Sequence, residues 1–168
     1  MIYLRKLNPK INITTKYQNW MNNQEIQMYT EQKFKKHSLN DIKKFVTLKN
    51  KSKSEFLYGI FLKKNSIFHH IGNIKLGPIN LIHSNADISY FIGEKNLWGN
   101  GYTTQAIKKI IRIAKKKKIK KLKAGCYEMN YGSKKVLEKN GFVKEGTLKS
   151  EILFKKKRYC SFIYGKII

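Results

Sequence analysis

The sequence predicts a single α+β domain, a sheet covered by helices, and three observations lead there. A chain of 168 residues with 41% hydrophobic and 12% aromatic side chains is long enough for one core and apolar enough to fold. Hydrophobic periods near two and near 3.6 succeed one another as strand, two helices, three strands, helix, strand, helix and two strands. No repeat, linker or shift of composition divides the chain, and Pro9 and Pro78 are its only prolines, so residues 1–168 read as one domain.

The elements follow in order. Tyr3 to Leu7 reads as a first strand, and Tyr17, Trp20 and Met21 fall on one face of a short helix. Ser38-x-x-Asp41 is a capping signature, opening a helix with Ile42, Phe45 and Val46 on one side. Glu55 to Leu62, Ile67 to Leu76 and Ala86 to Ile92 read as strands, the last alternating Ile88, Tyr90 and Ile92 against Ser89 and Phe91, a pattern that lets both faces be covered. Gly101 to Lys116 carries the stripe Ala106, Ile107, Ile110, Ile111 and Ala114 of an amphipathic helix. Lys121 to Tyr127 is a strand. Asn130 can cap a helix that carries Val136 and Leu137 and stops at Asn140-Gly141, where a left-handed residue is wanted. Phe142 to Leu148 and Glu151 to Gly165 are expected to close the sheet.

The chain holds 36 Lys+Arg against 10 Asp+Glu, a formal charge of +26. Such a surface invites polyanions. The lysines are nevertheless scattered, and the dense run from Lys115 to Lys123 follows a helix whose carbonyl end favours cations. Its 33 Lys, 22 Ile and 15 Asn make a skew toward residues with AT-rich codons, which accounts for much of the basicity without a function. No apolar run approaches the ~18 residues of a spanning helix, and the first residues form no signal-peptide pattern, so the expected location is cytoplasmic. Cys126 and Cys160 make neither a disulfide framework nor a metal quartet and are expected to be reduced. His69 and His70 point to opposite faces of a strand and cannot share one ion. No metal site is expected.

The chemistry concentrates between Ile92 and Ala106. A strand ends, a loop with Gly99 and Gly101 follows, and a helix begins, so free N–H groups and the positive helix end converge. That geometry suits a phosphate or pyrophosphate, with glycines where a side chain would block close backbone approach. The loop is no Walker motif, since no Lys-Ser/Thr follows Gly101, and no third glycine completes a dinucleotide fingerprint.

The residues Trp98-Gly99-x-Gly101-Tyr102-x-Thr104-x-Ala106, followed by Asn130-x-x-Ser133-x-x-Val136-Leu137-Glu138-Lys139-x-Gly141-Phe142-x-x-Glu145-Gly146, make the chain resemble the GNAT acyl-CoA transferase superfamily and its RimJ/RimL-like branch. The resemblance spans about residues 3 to 166 and is weakest before Glu55. It implies a mixed, mostly antiparallel central sheet and acetyl-CoA as co-substrate. It further implies that Leu97, Trp98, Gly99, Asn100, Gly101, Tyr102 and Thr103 wrap the pyrophosphate, that the strand through Tyr90, Ile92 and Gly93 pairs with the pantetheine arm, and that Asn130 contacts the coenzyme. Ser133 matches a position whose hydroxyl reaches the departing thiolate; a first-turn serine bonded to backbone is the competing reading. The chain departs from the pattern at Asn96, Gln105 and Cys160, and where many relatives carry a tyrosine acid it has Leu137, so that tyrosine mechanism cannot apply.

In direct transfer an amine attacks the thioester, a backbone donor on a splayed strand stabilises the oxyanion, and the protein contributes orientation and charge placement. A carboxylate or a water path must take the amine proton. Glu145 is the first candidate by resemblance, followed by Glu128 and Glu94, with a surface carboxylate among lysines as the alternative for each. Ile71 to Asn80 is similar to branch members that acetylate the amino group of a nucleotide-linked sugar in surface-polysaccharide synthesis. That gives a small, anionic amine acceptor. Two other readings stay open: a protein N-terminal amine, and a basic nucleic-acid-binding module without activity.

Overall fold

The computed structural model describes residues 1–168. Seven strands form one sheet: β1 (Ile2–Lys6), β2 (Phe56–Lys64), β3 (Ile67–Asn80), β4 (Asn85–Ile92), β5 (Lys121–Tyr127), β6 (Val143–Phe154) and β7 (Lys157–Ile167). Their order is β1-β2-β3-β4-β5-β7-β6, and only β4 and β5 run parallel, because the helix between them carries the chain back across the sheet. Four α-helices cover it: α1 (Thr15–Asn22), α2 (Leu39–Lys51), α3 (Tyr102–Lys116) and α4 (Tyr131–Lys139). The expected α+β architecture is the one observed.

Each face has its own core. On one, α3 buries Ala106, Ile107, Ile110 and Ala114, and α4 buries Leu137, against Ile74, Leu76, Ile88, Leu122 and Ala124 of the sheet. On the other, Tyr17 and Trp20 of α1 and Ile42 and Val46 of α2 pack on Leu57 and Phe61 of β2. Ser38 and Asp41 form the capping box of α2, whereas Phe45, expected to be buried with Ile42 and Val46, is exposed. The closing hairpin turns at Lys155 and Lys156, both at positive φ, so the strand expected from Glu151 to Gly165 is divided between β6 and β7. Two lysines in left-handed conformation carry none of the Gly or Asn signal by which such turns are read.

The feature that matters most is a gap. β4 and β5 pair only at Asn85↔Lys121, Ala86↔Leu122 and Asp87↔Lys123, and beyond these residues the two strands part. On its other edge β4 stays paired to β3 as far as Ile92. The Gly93 N–H donates to the Ile71 carbonyl at 2.8 Å. Antiparallel alternation then turns the backbone groups of Tyr90 and Ile92 away from β3 and into the gap.

Candidate active site

The loop after β4 is tied to the gap's end. Trp98 donates its indole N–H to the Ile92 carbonyl at 2.9 Å, which satisfies one of the groups facing the gap and fixes the loop against the strand. Leu97 and Tyr102 pack against the core, and Asn100 folds back to the Trp98 carbonyl at 3.2 Å. Gly99 and Gly101 both sit at positive φ, 78° and 73°, and a Cβ on either would meet no protein atom within 4 Å. The requirement for glycine is therefore conformational, together with whatever approaches from outside. Gly101 caps α3 without a side chain, so the first-turn N–H groups of Tyr102, Thr103 and Thr104 are left free at the positive end of a 15-residue helix. This is an anion cradle.

The second helix of the site starts where β5 ends. Asn130 accepts from the Ser133 N–H at 3.0 Å, so its side-chain oxygen is engaged as the cap of α4. The Ser133 hydroxyl is not used on backbone; it pairs with the Tyr90 hydroxyl across the gap at 2.8 Å. Burial raises the pKa of Tyr90, with Ser133 partly opposing, so the phenol is neutral at physiological pH. The Cys126 thiol beside them is also raised by burial, and its Sγ lies 3.4 Å from the Tyr127 carbonyl and 3.6 Å from that of Asn130. Two hydroxyls and a thiol thus stand together on the α4 face, near two strand backbones with free polar groups.

Two expected site residues lie elsewhere. Gly93 does not face the gap: its N–H is committed to Ile71, and a Cβ there would come within 2.1 Å of the Trp20 ring, so this glycine serves the packing of α1. Glu145 is not brought to Ser133. Its carboxylate covers Gly165, opposite Lys123, and pairs with Lys121 at 2.7 Å, on the face of the sheet away from α4 and ~10 Å back along β5 from Cys126. A bulge between Lys144 and Gly146 and a chain reversal that sequence spacing does not reveal put it there. Glu94 pairs with Lys16 at 2.5 Å. Glu128 stands at the mouth, where its carboxylate accepts from the Cys160 N–H at 2.8 Å.

The mouth also holds residues the sequence did not single out. Glu31, in the turn Glu31–Phe34 between α1 and α2, accepts from the Tyr127 hydroxyl at the end of β5. Lys33 of the same turn lies over Tyr127 and Phe154. Ninety-six residues separate Glu31 from Tyr127, and no local pattern links them.

The acetyltransferase (GNAT) domain profile matches residues 2–143 of the chain. The chain belongs to that family. Membership makes it an acyltransferase with acetyl-CoA as acyl donor, and the residues present fit that co-substrate: a glycine turn and bare helix end for the pyrophosphate, and a gap with free strand groups for the arm. The fold is shared with solved structures of low identity. The microcin C7 self-immunity acetyltransferase MccE, in complex with acetyl-CoA and AMP, has a TM-score of 0.81 at 22% identity, over 99% of this chain and 92% of that one. Spermidine N-acetyltransferase from Vibrio cholerae, with CoA and spermine, has 0.84 at 20%, over 99% and 95%. RimL, the ribosomal L7/L12 α-N-protein acetyltransferase with CoA, has 0.83 at 20%, over 99% and 94%. No curated protein matches the chain.

Proposed function

We propose that the protein transfers acetyl from acetyl-CoA to a primary amine, with the thioester held in the β4–β5 gap. The observation that carries this is the gap itself, bounded by the Gly99–Gly101 turn on one side and crossed by the Tyr90–Ser133 hydroxyl pair. Acetyl-CoA supplies an activated acyl group, and the amine nitrogen bonds to its carbonyl carbon as the thiolate departs. Backbone N–H groups of Tyr90 and Ile92 orient that carbonyl and stabilise the charge that develops on its oxygen. The Ser133 hydroxyl, held by Tyr90, gives a proton to the leaving sulfur and takes one back from solvent through the Tyr90 hydroxyl. Glu128 and Glu31, the carboxylates at the mouth, take the amine proton directly or through water.

For the acceptor, the primary amine of a nucleotide-linked sugar is the reading we carry forward. A charge of +26 favours encounter with a diphosphate, and the effect weakens with salt. A protein N-terminal amine is the alternative. A thiol-release assay over amino-sugar nucleotides, N-terminal peptides and simple amines tests both. Activity on the sugars, with the second-order rate constant falling as ionic strength rises, is the expected result. Activity on peptides alone overturns the sugar, and no acetyl-CoA-dependent activity or binding overturns the transferase.

A further inference from the structure

Besides Glu31, the face of the gap away from α4 presents groups to which the transfer step assigns no role. Lys33 is half-buried, and its Nζ lies 4.8 Å from the centroid of the Tyr127 ring, 4.9 Å from Phe34 and 5.2 Å from Phe154. The same Nζ donates to the Met28 carbonyl at 3.1 Å. Tyr29 completes the group, its ring 6.3 Å from Tyr127 and 6.5 Å from Phe154. Glu31 places a carboxylate at the Tyr127 hydroxyl. Ring faces within about 6 Å of a cation, backed by a carbonyl and a carboxylate, form the arrangement by which proteins hold alkylammonium ligands.

Here the cation is tethered, and the enclosure has an open wall, since Phe34 is 67% exposed. Its place in the fold matters as much as its chemistry. Tyr127 ends the strand that lines the gap, and its ring lies on the opposite face from Cys126, Ser133 and α4. We propose that this ring cage is the docking site for the ammonium end of the amine acceptor, and that Lys33 is an intramolecular occupant the acceptor displaces. The proposal deepens the acetyltransferase reading and rests on it for the ligand's role. The cage leaves open what the rest of the acceptor carries, because a sugar amine and a peptide N-terminus present the same cation.

The test needs no acetyl-CoA. The wild-type chain, Lys33→Ala and Lys33→Arg are titrated with n-butylammonium chloride and with its neutral isostere n-pentanol, by calorimetry. Lys33→Ala is expected to bind the ammonium about tenfold more tightly than the wild type or Lys33→Arg, with no gain for the alcohol and with the gain lost on adding Phe154→Leu. Equal binding by all three proteins, or an equal gain for the alcohol, overturns the cage. A second measurement uses the wild type alone, so that it stands even if Lys33→Ala unsettles the turn. Butylammonium should raise labelling of Lys33 by an acylating reagent, read by mass spectrometry, relative to exposed Lys156, and n-pentanol should not. Unchanged labelling overturns the displacement. Since acetyl-CoA binding is measured separately on the same proteins, loss of the cage and loss of the transferase reading are distinguishable.

Discussion

On the α3–α4 side of the gap, the working groups come from one stretch of chain: β4, the loop it runs into, α3, β5 and the first turn of α4, with Tyr90 and Ser133 43 residues apart. On the opposite side they come from three segments, the α1–α2 connection, the end of β5 and the β6–β7 hairpin, and the bond from Tyr127 to Glu31 closes 96 residues. The first side is held by backbone geometry: two glycines at positive φ, a bare helix end and parting strands. Side chains hold the second. A backbone-built site tolerates drift in surface composition, while a side-chain-built one can change its ligand by a few substitutions. The donor side should therefore fail abruptly when backbone conformation is disturbed, and the acceptor side should retune.

The largest effect is expected at Gly101. Valine there is strained at φ 73°, costs roughly 1–3 kcal/mol of stability, and puts a branched side chain at the cradle. Acetyl-CoA affinity, measured by calorimetry on folded protein, should fall at least about 100-fold, since ordered donors at the helix end are lost. Asparagine, which tolerates left-handed backbone, sharpens the point. If Gly101→Asn restores binding, conformation alone is required; if it binds as poorly as valine, close backbone approach is required as well. Full affinity in the valine variant removes the loop from coenzyme binding.

Next in size is the hydroxyl pair. Ser133→Ala should lower kcat by about ten- to a hundredfold with the acceptor KM within about twofold, because a proton given to the departing sulfur acts in the transition state. Tyr90→Phe should do less, since it positions the serine and leaves its hydroxyl in place. Unchanged kcat in Ser133→Ala, with chemistry shown to limit the rate, returns that serine to a packing role.

Legibility followed the same division. The helix at 102–116, the strand at 121–127 and the Asn130 cap are visible in sequence because period and cap chemistry act over a few residues. The glycine turn is visible for the same reason. Glu145 shows the limit: a motif placed it near the cleft, but which face of a bulged strand it occupies depends on pairing with β7. Glu31, Lys33 and Phe154 carry no local signal at all, and a turn of two lysines at 155–156 hid the hairpin that delivers Phe154.

The carboxylates give a smaller and discriminating effect. Glu145→Gln should leave kcat and its pH profile unchanged within about twofold, and the loss of its pair with Lys121, about a third exposed, should cost under about 1 kcal/mol. Glu128→Gln and Glu31→Gln should each lower turnover near neutral pH by up to about tenfold. A Glu145→Gln variant as impaired as Glu128→Gln would place proton transfer ~10 Å back along β5 from Cys126 and break the assignment of the amine proton to Glu128 and Glu31.

The smallest effect concerns stability on the acceptor face, where His70 is packed among Tyr17, Trp20 and Phe61. Its Nε2 lies 3.0 Å from the Gly72 carbonyl and 2.9 Å from the Asn73 side-chain oxygen, both acceptors, so this nitrogen carries the proton of a neutral ring. Burial lowers the pKa below the usual 6.5, outweighing these bonds and the more distant Glu94, while Lys16 adds to the lowering. The unfolded chain then takes up a proton before the folded one as pH falls. The contribution is complete above about pH 6.5 and is lost on acidification toward the folded-state pKa, at a slope of up to about 1.4 kcal/mol per pH unit. For a chain of this size that is about 2–4 °C in Tm per kcal/mol. Thermal unfolding followed from pH 7.5 to 5 should show the wild type losing stability below pH 6.5 and His70→Gln losing less over the same range. Parallel curves would mean that the imidazole is hydrated, and that the wall between α1 and the sheet is looser than its aromatic packing indicates.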